Sequence, residues 1–300
     1  MSIKDWLKFI VLGALWGSVF LWIKTAQQEI GPLTIVAFRV IIALVSFVII
    51  FAFLKRKLPL RQNWKVFVVL SLLNIVIPFT LITWSQRYIS SGMSSILNST
   101  STLFTLMLAH WLVPDDRLTS AKTIGLVLGF AGVVLLMSDQ VQSGQTTTLA
   151  GQAAMLISAL TYSLGTIFAR RKAHNIAPEM IAMGQAVFGG LLMVPLAVSL
   201  EAPFQIPRLP LTWLSLIWLG LLCTCLSHMM YFSLLKSVGP TRTQMVTYVI
   251  VFFAVALGVI FLGEMPDWRF FAGGALVISG ILIVNNSPQR SQNGREHVIL

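Results

Sequence analysis

Charge is scarce in this chain: Asp and Glu number 10 and Lys and Arg 21 among 300 residues. Only 10% of the chain is charged, where a soluble domain carries about 25%, which excludes a soluble domain of any size. Acids are scarcer still inside the apolar stretches, none of which holds an Asp or Glu away from its ends. That weighs against a proton-exchanging carrier of cationic drugs, which needs a membrane carboxylate to hold proton and substrate in turn. Cysteine is nearly missing. Cys223 and Cys225, two apart in one apolar run, point to different faces of a helix, cannot bridge each other without strain, and read as buried small hydrophobes. There is no Walker phosphate loop, no paired carboxylate for acid–base work, no metal-ligand cluster and no Gly-x-Ser-x-Gly elbow. Enzyme readings, a membrane-embedded enzyme included, therefore lack chemistry, and no cofactor is implied.

What the chain has instead is apolar length. Ten runs lie at about residues 6 to 24, 33 to 54, 65 to 85, 92 to 113, 120 to 138, 150 to 170, 179 to 199, 211 to 234, 240 to 262 and 268 to 285. Each is long enough to cross a bilayer core, which takes roughly 20 residues of helix. The gaps alternate in charge. Sixteen basic residues, among them Lys4, Lys8, the Lys55 to Lys57 run, Arg61, Arg117, Arg170 to Lys172 and Arg290, fall in one set of gaps and termini, and only Lys24, Arg87, Arg208 and Arg269 in the other. The positive-inside rule puts the first set and both termini in the cytoplasm. The net charge of +11 is accordingly read as topology and attraction to anionic headgroups, and the loops are too short for a nucleic-acid surface. Residues 287–300 form a polar tail expected to be disordered.

An internal repeat organises the runs. Ala14-Leu15 and Gly31-Pro32 return as Ala159-Leu160 and Ala177-Pro178, and Asp116, Gly125 and Gly132 return as Glu264, Gly273 and Gly280, at offsets of 145 to 148. The spacing suggests two five-helix units, 1–140 and 141–286. Because five is odd, the second enters the membrane from the opposite side, an inverted-topology pair suited to alternating access. The small residues of runs 5 and 10, with Gly125 and Gly129 as a GxxxG match, allow close helix approach within the chain or in a dimer.

Gly13-Ala14-Leu15-Trp16-Gly17 in run 1, Phe38-Arg39 in run 2, and the acidic turns Pro114-Asp115-Asp116 and Gly263-Glu264 ahead of the glycine-rich runs 5 and 10 form an ordered set. In these the chain resembles the ten-helix EamA-type permeases of the drug/metabolite transporter superfamily over residues 6 to 285. The resemblance implies an inner-membrane carrier exporting metabolites such as amino acids, with a central cavity between the repeats. A proline common in the middle of helices 4 and 9 of such permeases is absent, Thr102 and Ile250 standing near those places, so kinks there are not expected.

Polar residues within the runs indicate a pathway. Run 4 opens with Ser91, Ser94, Ser95, Asn98, Ser101, Thr102 and Thr105, and run 9 with Thr241, Gln244, Thr247 and Tyr248, stripes at helical spacing. They serve either as cavity lining or as hydroxyls bonding back to their own helix. Polarity confined to the first halves of these runs favours an occluded site over a channel. Arg39 is the one charged residue deep in a run, roughly 10 Å from its outer end at 1.5 Å per residue. It either snorkels or bonds between helices, or is the counter-charge of a substrate carboxylate. Gln185 holds its place in the second half. Trp16 and Tyr162 supply rings at equivalent depths, and His110 and His228 are the intramembrane groups able to titrate near neutrality.

The sequence therefore predicts an all-α membrane protein of ten spans in two inverted repeats, with small-molecule and lipid partners, no nucleic acid, and monomer or homodimer open. Its expected function is export of neutral or aromatic amino acids; a proton-coupled multidrug or other metabolite carrier is the alternative. The candidate site is Trp16, Arg39, Asn98, Thr102, Tyr162, Gln244 and Tyr248, with His110 and His228 for any proton coupling and no metal.

Overall fold

A computed structural model describes residues 2–53, 55, 60–112, 119–201, 205–239, 242, 243 and 245–286. Asp115, Asp116, Thr241, Gln244 and the tail from 287 lie outside them. The described residues contain helix and no strand. The elements are α1 (Ile3–Ala26), α2 (Pro32–Phe53), α3 (Leu60–Ser71), α4 (Ile77–Ser85), α5 (Ser91–Ser99), α6 (Ser101–Leu112), α7 (Ser120–Ser143), α8 (Thr146–Lys172), α9 (Pro178–Leu200), α10 (Pro210–Ile217), α11 (Ser227–Val238), α12 (Val246–Leu262) and α13 (Trp268–Asn286). Two π-helical segments, Leu72–Val76 and Trp218–Leu226, join α3 to α4 and α10 to α11.

Eight helical stretches are long and apolar enough to cross a membrane: Ile3–Ala26, Pro32–Phe53, Gln62–Ser85, Ser120–Ser138, Thr146–Lys172, Pro178–Leu200, Pro210–Leu235 and Trp268–Asn285. The other two runs are described in shorter helices. In run 9 the continuous described helix covers Val246–Leu262. Run 4 is interrupted at Thr100 between α5 and α6 without a proline. Ser99 Oγ and Thr100 Oγ1 each donate to a carbonyl three residues back, Ile96 O and Leu97 O, at 2.6 Å. Hydroxyls bonding back to their own helix bend it.

The two π segments begin 146 residues apart, at Leu72 and Trp218, the offset of the sequence repeat. α2, which carries Arg39, packs on the segment Trp218–Leu226, and α9, which carries Gln185, packs on Leu72–Val76. α7 and α13 form the most extensive helix pair, and the glycines of runs 5 and 10 explain it. A Cβ at Gly125 would lie 2.6 Å from Gly280 O, and one at Gly132 2.6 Å from Gly273 O, so only bare backbone admits this approach. Intramolecular packing is thus a use of these glycines. Gly17 on α1 is likewise closed by Phe253 Cβ at 2.7 Å and Ile250 O at 2.8 Å of α12.

A buried core of Phe20, Ile23, Ile35, Leu97, Leu103, Leu216, Leu219 and Val277 runs between the halves. Cys223 belongs to this core and Cys225 to a separate cluster with Phe47 and Phe51; both thiols are free, so they do face apart.

Candidate functional site

The segment Trp218–Leu226 gathers several candidate residues. A π turn widens the helix by one residue and frees main-chain groups; here Thr224 Oγ1 and Ser227 Oγ recover Leu219 O and Leu222 O at 2.8 and 2.7 Å. Around Thr224 three elements meet. Arg39 Nε donates to Thr224 Oγ1 at 2.9 Å. His228 Nδ1 lies 2.6 Å from Thr224 O; a carbonyl only accepts, so Nδ1 carries the proton. Trp16 Nε1 donates to Cys223 O at 3.1 Å, and its ring lies 5.9 Å from His228 and 5.5 Å from Tyr231. Ser18 Oγ accepts from Trp218 Nε1 at 3.0 Å.

Arg39 is 5% exposed, so it does not snorkel; of its first alternative, the interhelical bond is what the structure shows. Its guanidinium sits 3.9 Å from the centre of the Phe79 ring, with Tyr162 and Cys223 in electrostatic range. Among the described residues no carboxylate pairs with it, and Thr224 is its only hydrogen-bond partner. A guanidinium has five donors, so four remain. The ring face returns about 2 kcal/mol and a charged hydrogen bond about 1.5–3, against a desolvation cost of several kcal/mol for a buried ion.

The other candidates are placed unevenly. Ser163 Oγ donates to Ser101 O at 2.7 Å, which sets the Tyr162 turn of α8 against the break in run 4, with Asn98 just before the break and Thr102 just after it. Asn98 Oδ1 is buried with no hydrogen-bond partner among the described residues. Tyr248 stands apart, its hydroxyl accepting from Asn285 Nδ2 at 3.3 Å. His110 lies near the end of α6 with its ring 5.4 Å from Trp111, not against Thr224. Gln244 lies outside the described residues. Sequence reasoning missed Ser18, Phe79, Cys223, Thr224 and Trp218; the polar residues Thr224, Ser227 and His228 in an apolar run were the available signal.

At the charge-poor ends of the helices, three glutamates reach across the chain to helix N-termini, where unpaired N–H groups and the dipole favour an anion. Glu201 accepts from Leu33 N and Thr34 N at 2.9 and 2.8 Å. Glu264 accepts from Ser91 N at 2.8 Å and pairs with Lys24 at 2.7 Å. Gly263, at φ 64°, makes the left-handed turn that aims it. Glu29 accepts from Arg208 N and Leu209 N. The Thr212 hydroxyl, with those N–H groups, holds the Glu29 carboxyl below its ordinary value of 4.5. Glu29 and Glu201 also line, with Gln27, Gly31, Thr34 and Arg87, a polar cavity of about 390 Å³.

The sequence pattern of the EamA-like transporter family matches residues 5–138 and again 149–286. Similar proteins include an uncharacterized transporter of Archaeoglobus fulgidus, 23% identical over 94% of this chain and 98% of its own length. Uncharacterized transporter YoaV of Bacillus subtilis is 22% identical over 94% and 96%, and a probable amino-acid metabolite efflux pump of Escherichia coli 23% identical over 94% and 95%. One crystal structure, 17% identical, superposes with a TM-score of 0.69 over 94% of this chain and 97% of its own, a likeness of fold.

Proposed function

The chain belongs to the EamA-like transporter family, and on that premise we propose that it exports small metabolites carrying a carboxylate, in the first place neutral or aromatic amino acids. The observation that carries this reading is Arg39: buried, without a carboxylate partner among the described residues, and with four donors left over. A carboxylate is the planar acceptor that a guanidinium fork binds through two parallel bonds. Trp16, Tyr162 and the Asn98 amide supply ring and polar surface for the rest of the molecule, with Thr102 and Tyr248 further along the path; Gln244 stays a candidate on sequence grounds. The E. coli relative, named as an amino-acid metabolite efflux pump, supports the same substrate class.

Ten spans in two inverted five-helix repeats, 1–140 and 141–286, both termini cytoplasmic in an inner membrane, are the architecture of this proposal. The double family match, the two π segments 146 residues apart and their reciprocal packing on α9 and α2 support it. Transport proceeds by rocking of one repeat against the other around a midplane site, without enzymatic chemistry on the solute.

The test is counterflow of labelled amino acids in liposomes containing the purified protein, with and without an imposed proton or sodium gradient. Saturable counterflow of phenylalanine or leucine, inhibited by the free acid and not by its amide, is the expected result. Flux that does not saturate points to a channel. Strict dependence on a proton gradient shifts attention to His228 and His110.

A further inference from the structure

Trp22 and Trp218 stack with ring centres 5.2 Å apart, joining α1 to the second half of the chain. Their depth is informative. Along α1, Gln27 lines the polar cavity at the charge-poor face, Trp22 lies just over one helical turn inward at 3.6 residues per turn, and Ser18 lies one turn deeper, bonded to Trp218. α2 repeats the order: Thr34 lines the cavity, Phe38 follows one turn inward, and Arg39 is buried beside it. Phe38 meets Trp213 edge to face at 5.5 Å, and Trp213 is anchored by its Nε1 to Pro207 O at 3.0 Å. Two aromatic pairs thus lie about one helical turn inward of the cavity residues, with Phe38 at nearly the depth of Arg39.

The same ends are tied by charge. Lys24, two residues beyond Trp22, pairs with Glu264, whose carboxylate also holds the start of α5. The side chains of this pair are 23% and 13% exposed. An ion pair that keeps some exposure is partly screened by water, so parting its two ends together costs less than stripping one partner from a fully buried pair.

We propose that Trp22–Trp218 and Phe38–Trp213 are the outer gate of this carrier, closed here beside Arg39, and that Lys24–Glu264 is the clasp that biases it shut. The 390 Å³ cavity is then the outer vestibule into which solute is released. The proposal rests on the transporter reading and on the sidedness argued from charge. Opening requires the α1 and α2 ends to part from α10 and the turn at Glu264, a minor state whose population the clasp lowers.

The chain carries its own reporter, because Cys223 lies directly beneath the gate and donates through Sγ to Leu15 O at 3.1 Å. With Cys225→Ser leaving it as the single thiol, the rate of Cys223 alkylation by a charged, membrane-impermeant maleimide is measured from each face of sealed liposomes. Trp22→Ala and Trp218→Ala are expected to speed labelling from the charge-poor face about tenfold, since an aromatic pair contributes about 0.5–1.5 kcal/mol beyond its burial. Lys24→Met and Glu264→Gln each speed it about threefold, and the double variant no more than either alone, as for one shared interaction. Unchanged labelling in folded variants, or a rise that is equal from both faces, overturns the gate. Should the alanine variants lose folded protein, Trp22→Phe and Lys24→Met carry the same comparison. Counterflow measured in parallel separates the two readings: labelling that follows the gate variants without movement of any amino acid overturns the substrate assignment and leaves the gate standing.

Discussion

Arg39 Nε donates to Thr224 Oγ1 at 2.9 Å across 185 residues of sequence, and the hydroxyl that accepts it donates in turn to Leu219 O, five residues back in the π segment. This deeply buried cation is therefore held by an irregular turn far away in the sequence. A shift in that turn moves the guanidinium directly.

Removing the charge separates binding from folding. Arg39→Met is expected to keep or raise the thermal midpoint in detergent, because an apolar side chain of similar length replaces a buried ion lacking a carboxylate partner among the described residues, while amino-acid counterflow is abolished. Arg39→Lys keeps the charge without the fork and should lose about tenfold in affinity. A folded Arg39→Met protein with full counterflow would remove Arg39 from the site.

Asn98 makes a parallel case with a neutral group. Its Oδ1 is buried without a partner among the described residues, so Asn98→Leu leaves stability unchanged or higher, by up to about 1–3 kcal/mol of relieved desolvation. Transport should fall roughly tenfold if the amide faces solute. A lower midpoint on thermal unfolding together with normal flux would make Asn98 structural.

The glycines of the α7–α13 contact differ sharply from Gly190. A Cβ at Gly280 meets backbone, Gly125 O and Gly129 N, whereas one at Gly190 has side-chain carbons at 3.8 Å or more. Gly280→Ala should cost about 1–3 kcal/mol or more by forcing the helices apart. Gly190→Ala should be neutral or stabilising by about 0.5–1 kcal/mol. Thermal midpoints of the two purified variants decide it, and equal midpoints contradict the packing.

Glu29 gives a pH dependence of definite sign. Its folded-state carboxyl titrates below 4.5, first through the Thr212 hydroxyl, so its contribution is fully present above 4.5 and is lost as pH falls through the lower, folded value. Thermal midpoints measured from neutral pH downward should therefore converge for wild type and Glu29→Gln only in the acid range below 4.5. A constant gap between the two proteins across that range would contradict the assignment.

Much of the architecture was legible in the chain itself. Helices with the length and apolarity to cross a membrane follow from long runs lacking charge, because lipid leaves a backbone no other way to satisfy its polar groups. The family likeness was readable in Gly13 to Gly17, Phe38-Arg39 and Gly263-Glu264, and the repeat in offsets of 145 to 148. The break at Thr100 was missed because the proline was sought as its cause, while the Ser99 and Thr100 hydroxyls carried it.

Composition and periodicity alone determined the class, the repeat and the presence of one deep cation, since these depend on what each residue can do in lipid. Which residues meet that cation was decided only by tertiary structure. Thr224, Phe79, Trp16 and His228 converge because α2 packs on a π segment nearly two hundred residues away, and no local propensity records the distance between two turns that meet only when the halves fold together.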